Sequence, residues 1–205
     1  MTRRGRLIAF EGGEASGKST QAARLASRLG AVLTREPGGT AVGERVRDLL
    51  LDAGLSYLDP RAEALLMAAA RAQHVAEVVE PALSAGVDVV TDRYSHSSLA
   101  YQGFGRGLPL DEVRHLSQWA TGGLWPDLAV LLDVPDDVAR ARLGTLGLDR
   151  FEIEGVAFHT RVIEGFRSLA SAEPERWVVI DGAGSPDEVA QRVWSAVEDR
   201  LSARD

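Results

Sequence analysis

Residues 7–20 read Leu7-Ile8-Ala9-Phe10-Glu11-Gly12-Gly13-Glu14-Ala15-Ser16-Gly17-Lys18-Ser19-Thr20, a short apolar run followed at once by a glycine-rich loop. The second half matches G-x-x-x-x-G-K-[ST], a pattern in which backbone N–H groups and the start of the next helix bind the phosphates of a nucleoside triphosphate. A strand that runs into such a loop and then into a helix is typical of a parallel α/β sheet. The stretch therefore predicts an α/β fold with a parallel sheet and a nucleoside-triphosphate site over residues 12–20.

Lys18 is the only lysine of the chain. The chain has 23 lysine and arginine residues in total, and all the others are arginine. A compact ammonium on a flexible stem can lie along the β- and γ-phosphates, whereas a planar guanidinium is bulkier and differently directed. We expect Lys18 to contact the transferred phosphoryl group and the Ser19 hydroxyl to bind Mg²⁺. The motif leaves kinase, GTPase and ATPase open, although the chain lacks the N-K-x-D sequence that reads guanine.

The composition favours a single globular domain over residues 1–205. Hydrophobic residues make up 45% of the chain and charged residues 26%, both ordinary globular values. The absence of cysteine excludes disulfides, thiolate metal ligands and a cysteine nucleophile. A net charge of −7 argues against broad nucleic-acid binding. Because no apolar run approaches ~18 residues, we expect a cytoplasmic protein with no membrane-spanning segment.

Short apolar runs alternate with helical patterns along the whole chain, as in βαβ units. The predicted strands are Leu7–Phe10, Ala31–Thr34, Val87–Thr91, Leu128–Leu132 and Trp177–Ile180. The predicted helices cover 17–29, 41–52, 61–82, 95–102, 110–120, a segment from about 136, 153–172 and a segment from about 186. This order predicts a five-stranded parallel sheet flanked by helices. Ligands bind such sheets at the carboxyl ends of the strands, which is where the polar motifs fall.

Two of these motifs have more than one interpretation. Arg35 follows the second strand, and it is either a solvated loop arginine beside the Pro37 turn or a guanidinium that binds a second phosphate bidentately. Asp92 ends the third strand, just before Arg93, and it is a Mg²⁺ ligand, an N-cap for the following helix, or both.

Several motifs together resemble the thymidylate kinase family. They occur in family order over residues 7 to about 152, and the later strand and helix fit the same P-loop kinase fold. The matching segments are Phe10-Glu11-Gly12, Thr34-Arg35-Glu36-Pro37-Gly38-Gly39-Thr40, Asp92-Arg93-Tyr94, Ala100-Tyr101-Gln102-Gly103, Leu132-Asp133-Val134-Pro135 and Asp149-Arg150-Phe151-Glu152. The Arg-Glu-Pro-Gly-Gly-Thr block and the Ala-Tyr-Gln-Gly block are much more specific than the P-loop.

The resemblance implies phosphoryl transfer from ATP to dTMP, giving dTDP and ADP for dTTP synthesis, with Mg²⁺ as cofactor. By the same resemblance, Arg35 and Arg93 would hold the dTMP phosphate and Asp92 would lie between metal and acceptor. The nucleoside pocket would be formed by Glu11, Pro37, Arg71, Ser97, Tyr101 and Gln102, with Arg71 at the thymine edge. The family is generally homodimeric, so a homodimer is expected here.

The chain departs from the family pattern at two places. Met67 occupies the position where the family usually has a phenylalanine that stacks on thymine, and a thioether can still cover an aromatic ring. The P-loop has no arginine between its glycines, so the transition-state arginine would come from a short lid over about residues 141–152. Residues 143–149 contain no arginine, which leaves Arg140, Arg142 and Arg150 at its flanks. Arg150 is the best match and Arg142 is the second candidate.

Two alternative functions remain open on sequence grounds. Met67 allows a kinase for another pyrimidine nucleoside monophosphate. The changes in the lid allow a nucleotide-binding regulatory protein whose kinase activity is weak. In either case the ligands are small nucleotides.

Overall fold

The computed structural model of the chain describes residues 3–55, 57–143 and 149–202. Residues 144–148 of the expected lid and the side chain of Arg140 lie outside this part. Within it, one parallel sheet is built from β1 (Leu7–Glu11), β2 (Val32–Arg35), β3 (Val89–Asp92), β4 (Leu128–Asp133) and β5 (Trp177–Asp181), in the order β2-β3-β1-β4-β5. The predicted five-stranded parallel sheet is confirmed, and each predicted strand lies within two residues of an observed one.

The helices connect and cover these strands. They are α1 (Lys18–Leu29), α2 (Ala41–Leu51), α3 (Pro60–His74), α4 (Glu80–Ser84), α5 (Ser95–Ser98), α6 (Leu110–Ala120), α7 (Asp136–Leu143), α8 (Val156–Ala172) and α9 (Pro186–Ser202). Local chemistry sets several of the boundaries. The Thr40 hydroxyl accepts from the Gly43 N–H at the start of α2, and Asp59 caps α3 ahead of Pro60.

Two predicted helices differ in kind from what the sequence pattern indicated. The helix expected over 61–82 is α-helical to His74, π-helical over Val75–Val79 and α-helical again in α4. The segment expected over 95–102 begins as α5 and widens into a π-helical stretch over Leu99–Gly105. Apolar periodicity does not distinguish one helical winding from another. Single π turns inside helices are often found at functional sites.

Alternation along the strands divides the core into two faces. On β1, Ile8 and Phe10 are fully buried against α1 and α9. Leu7 and Ala9 point to the other face, where they pack with Val79 and its neighbours. A third cluster joins Ala129 and Leu131 on one face of β4 to α8 and the π-helical stretch after α5. Burial of the inner strands β3, β1 and β4 on both faces explains why they are nearly continuous apolar runs.

Register places the polar strand ends side by side. Phe10 on β1 pairs with Asp92 on β3, and Asp92 pairs with Arg35 on β2. The predicted convergence of polar motifs at the carboxyl edge is therefore correct. Among the described residues, no helix is both long and apolar enough to cross a lipid bilayer.

Candidate active site

The glycine loop after β1 turns closely over the sheet. Gly12 has φ of +143°, and a Cβ on it would lie 2.7 Å from the Leu132 carbonyl oxygen on β4. Gly17, with φ of +94°, forms the N-cap of α1. Residues other than glycine rarely adopt such backbone conformations, which explains why the motif requires glycine at these positions. The loop therefore directs backbone N–H groups and a helix N-terminus at one point.

Lys18 lies under this loop, nearly buried. Its ammonium donates to the Gly13 carbonyl oxygen at 2.5 Å and to Ser16 Oγ at 3.2 Å. Burial, followed by the nearby charge of Arg93, lowers the pKa of Lys18 to about 8 in spite of the surrounding carboxylates. Lys18, Ser19, Thr20, Arg35, Asp92, Arg93 and Arg142 are among the residues that line one cleft, which we call the P-loop cleft.

Ser19 and Asp92 form a pair of oxygen ligands at the mouth of this cleft. Ser19 Oγ donates to Asp92 Oδ2 at 2.5 Å, and the buried Asp92 Oδ1 has no hydrogen-bond partner among the described residues. A hydroxyl, a carboxylate and added phosphate oxygens are a donor set that suits Mg²⁺, which usually keeps few protein ligands. The two residues therefore fit the expected cation.

Arg93 is the central cation of the site. It adopts a left-handed backbone with φ of +69°, which is rare for a side chain of this size and recurs at functional sites. One guanidinium nitrogen donates to the Gly12 carbonyl oxygen at 2.9 Å and to Ser97 Oγ at 3.3 Å. The other donates to Glu14 Oε1 at 2.7 Å and to Tyr101 Oη at 3.0 Å. Arg93 therefore links the P-loop to the helical segment that follows β3.

Glu14 has a role that the sequence did not indicate, because its P-loop position suggested backbone contacts with ATP. Its carboxylate accepts from both Arg93 and the Tyr101 hydroxyl. Burial alone would raise the pKa of Glu14, but the charges of Arg93 and Lys18 outweigh burial and lower it to about 2. Glu14 is thus an anion that orients Arg93.

Glu11 lies beneath the site, at the end of β1, and is fully buried. It accepts from the Tyr94 N–H at 3.0 Å and from Ser97 Oγ at 2.5 Å. Burial raises the pKa of Glu11 to about 7, although these hydrogen bonds and Arg93 act in the opposite direction.

A second cavity opens beside the P-loop cleft and shares Glu14, Glu36, Arg47 and Arg93 with it; we call it the inner pocket. Its lining includes Pro37, Met67, Arg71, Ser97, Ser98, Tyr101, Gln102 and Phe151. The structure thus brings together seven of the nine residues expected to bind the acceptor. Of the other two, Glu11 lies below the pocket and Arg35 lines the P-loop cleft.

Arg71 is held rigidly at the wall of the inner pocket. Its Nε donates to Glu36 Oε2 at 2.7 Å, and its terminal nitrogens donate to Ser117 Oγ, the Tyr94 carbonyl oxygen and Ser98 Oγ. These contacts use four of the five N–H groups of the guanidinium. Glu36 is the carboxylate of the Arg-Glu-Pro-Gly-Gly-Thr block, and its role could have been anticipated from that block.

Arg35 and Arg47 complete the positive lining. Arg35 is about half exposed, and its guanidinium donates to Glu44 Oε2 at 2.9 Å. Arg47 donates to the Pro37 carbonyl oxygen at 3.0 Å and faces both cavities. Sequence reasoning missed Arg47. The available signal was its position on α2, about two helical turns after the Thr40 N-cap and on the same face of the helix.

The two described lid arginines lie in different surroundings. Arg150 is 8% exposed, donates from Nε to the Leu50 carbonyl oxygen at 2.8 Å and pairs with Glu63 Oε2 at 2.6 Å. It is not among the residues that line the P-loop cleft, so its proposed catalytic role stays a prediction. Arg142 lines the cleft and donates to the Gly182 and Gly184 carbonyl oxygens. The strong attraction of a buried carboxylate explains the placement of Arg150.

Comparison with known proteins gives concordant results. The family model described as Thymidylate kinase matches residues 10–193. A thymidylate kinase of Synechococcus sp. (strain JA-3-3Ab) is 53% identical over 204 residues, covering 96% of this chain and 97% of that protein. One of Syntrophotalea carbinolica is 47% identical over 208 residues, covering 96% of each. The crystal structure of thymidylate kinase from Ehrlichia chaffeensis superposes with a TM-score of 0.79 at 31% identity, covering 95% of this chain and 99% of that one.

Proposed function

The chain belongs to the thymidylate kinase family, and from this premise we propose how its residues carry out the reaction. The protein is an ATP-dependent dTMP kinase that forms dTDP and ADP in the synthesis of dTTP. The observation that carries our assignment of roles is the adjacency of two cavities that share Glu14 and Arg93. The P-loop cleft takes ATP over residues 12–20, and the inner pocket takes dTMP.

The main obstacle to the reaction is the approach of two polyanions. The acceptor phosphate of dTMP already carries about −1.5 to −2 charges near pH 7, so no strong general base is required. Lys18 would contact the donor phosphates, while Arg35 and Arg93 would bind the acceptor phosphate. Arg142 is our candidate for the arginine that stabilises charge in the transition state. Glu14 and Tyr101 keep Arg93 in place.

We propose that Ser19 and Asp92 hold Mg²⁺. The support is their mutual contact and the unpartnered Asp92 Oδ1. When bound, the cation would neutralise charge on the donor phosphates. Asp92→Asn should raise the Mg²⁺ concentration required for half-maximal rate, whereas an unchanged requirement would contradict the assignment.

We further propose a homodimer, formed through α2, α3 and α6. These helices carry large exposed apolar side chains at Leu49 (44% exposed), Leu65 (58%) and Trp119 (82%). Sedimentation velocity should give about twice the chain mass, and Leu65→Glu with Trp119→Ser should shift the protein towards monomer. A monomer in the unmodified protein would refute this arrangement.

Because ATP is a substrate, we place the enzyme in the cytoplasm, which cell fractionation would test.

The experiment that tests the function is a coupled ADP-release assay across dTMP, dUMP, dCMP, dGMP and dAMP. We expect dTMP to give the highest kcat/KM. No turnover with dTMP would refute the proposal. If calorimetry showed that such a protein still binds ATP and dTMP, a regulatory protein would be favoured. A preference for dUMP would favour the other pyrimidine kinase. No contact among the described residues supports either alternative.

A further inference from the structure

Glu63 is a fully buried carboxylate that lies outside the set of residues assigned so far. It is in the first turn of α3, and three side chains from other elements converge on it. Gln102 Nε2 donates to Oε1 at 2.8 Å, Arg150 donates to Oε2 at 2.6 Å, and Arg106 donates to Oε2 at 3.1 Å. A buried carboxylate is stable only when it is paired and hydrogen-bonded in this way.

The contact with Glu63 determines which way the Gln102 amide points. An ionised carboxylate accepts hydrogen bonds and cannot donate them, so the NH₂ end of the amide must face Glu63. The carbonyl end, Oε1, is then the free end. It is buried and has no hydrogen-bond partner among the described residues. Gln102 also lines the inner pocket, together with Arg71 and Met67.

The two ion pairs keep this arrangement intact. Arg106 and Arg150 supply positive charge to Glu63, and Arg106 is also paired with Glu154. A neutral acid or an amide at position 63 could donate as well as accept, and the Gln102 amide could then rotate by half a turn. The charge on Glu63 is therefore part of what orients Gln102.

We propose that Glu63 is a positioning residue for base selection: it fixes Gln102 so that Oε1 is presented to the inner pocket as a hydrogen-bond acceptor. This rests on the proposed function, in which that pocket takes the thymine base. The pocket then offers an acceptor from Gln102 and a remaining N–H donor from Arg71. Thymine carries a ring N3–H donor beside the O4 acceptor, which matches this pair.

Cytosine has the opposite pattern, with an N3 acceptor beside a 4-amino donor. In the fixed orientation of Gln102, cytosine would place acceptor against acceptor and donor against donor. A site built for one pattern discriminates strongly because its buried polar groups are left unpaired by the wrong ligand. Releasing the amide removes the acceptor–acceptor part of this penalty by allowing Gln102 to present its NH₂ group, while the contact between Arg71 and the 4-amino group stays unfavourable.

The test compares the ratio of kcat/KM for dTMP to that for dCMP in Glu63→Gln and in the unmodified enzyme. We expect the ratio to fall by about tenfold to a hundredfold, the effect of one unpaired buried group. Because the two values share one enzyme preparation, the ratio does not depend on the folded fraction. A role of Glu63 in stability alone would lower both values and leave the ratio unchanged.

Two further variants keep the proposal falsifiable if Glu63→Gln folds poorly. The exchange Glu63→Gln with Gln102→Glu restores a donor facing a carboxylate, with an acceptor oxygen towards the pocket, and should recover the ratio to within a few-fold. Glu154→Gln removes the other partner of Arg106 without touching Gln102, and should leave the ratio unchanged.

The role of Glu63 would be overturned by an unchanged ratio in Glu63→Gln. It would also be overturned if the exchange variant gave a ratio as low as that of a Gln102→Leu variant. Absence of dTMP turnover in the unmodified enzyme would instead refute the proposed function.

Discussion

Replacing Glu11 by glutamine should stabilise the protein in a strongly pH-dependent way. Glu11 is fully buried at the end of β1, and burial raises its pKa from 4.5 to about 7. Glutamine has nearly the same shape as the protonated acid and can accept from the Tyr94 N–H in the same place. The substitution therefore resembles permanent protonation of the native side chain.

The sign and the magnitude follow from linkage. Between about pH 4.5 and pH 7, Glu11 binds more protons in the folded state than in the unfolded state. The free energy of unfolding of the unmodified protein therefore falls as the pH rises through this window. Each pKa unit corresponds to about 1.4 kcal/mol, so the shift from 4.5 to about 7 amounts to roughly 3 kcal/mol.

Urea denaturation of both proteins at pH 4.5, 5.5, 6.5, 7.5 and 8.5, without nucleotide, measures this difference. The Glu11→Gln variant should gain stability relative to the unmodified protein by up to about 3 kcal/mol across the series, levelling off above pH 7. The exposed Glu198 on α9 provides a matched control, because Glu198→Gln should show a flat difference. A flat difference for Glu11→Gln as well would refute the reasoning.

Three other predictions concern the cleft, the lid flanks and the pocket. Lys18→Met should lower kcat by at least about 10²-fold, because a donor to the transition state is lost. The same change should raise the urea-unfolding midpoint, because a buried ammonium is removed. A lowered midpoint would contradict this account. Arg142→Ala should lower kcat by about 10²-fold without changing stability. Arg150→Ala should cost roughly 3 kcal/mol in urea unfolding and lower kcat less than tenfold. The reverse pattern would identify Arg150 as the catalytic arginine. Met67→Phe should lower KM for dTMP by a few-fold, the value of one aromatic stacking contact, and a raised KM together with a lower midpoint would show that the pocket is already filled.

Much of the fold could be predicted because its signals are local. The inner strands β3, β1 and β4 are mostly apolar runs buried on both faces, and the loop after β1 requires glycine at Gly12 and Gly17. The order of the strands is set by crossovers between distant segments, which local periodicity does not contain. The same limit applies to the π-helical winding over Leu99–Gly105, since its apolar pattern resembles that of an α-helix.

The candidate site divides along similar lines. Lys18, Ser19, Asp92 and Arg93 could be placed together because each follows a strand at the same edge of the sheet. Arg150 could not be assigned from its motif, because its direction depends on a carboxylate 87 positions earlier in the chain. Glu63 itself looked like an ordinary acidic residue in the first turn of a helix, where such residues are common.

The strand register at the carboxyl edge has a consequence for the alignment of the two substrates. The loop that receives ATP leaves β1, while Arg93 and Arg35 leave the next two strands, paired at Phe10, Asp92 and Arg35. Neighbouring strands are about 4.8 Å apart, a spacing fixed by backbone hydrogen bonds. The strand ends that carry the two sets of phosphate-binding groups are therefore separated by multiples of the sheet's own repeat. The backbone therefore contributes to the alignment that the proposed transfer requires, and the arginine side chains supply charge.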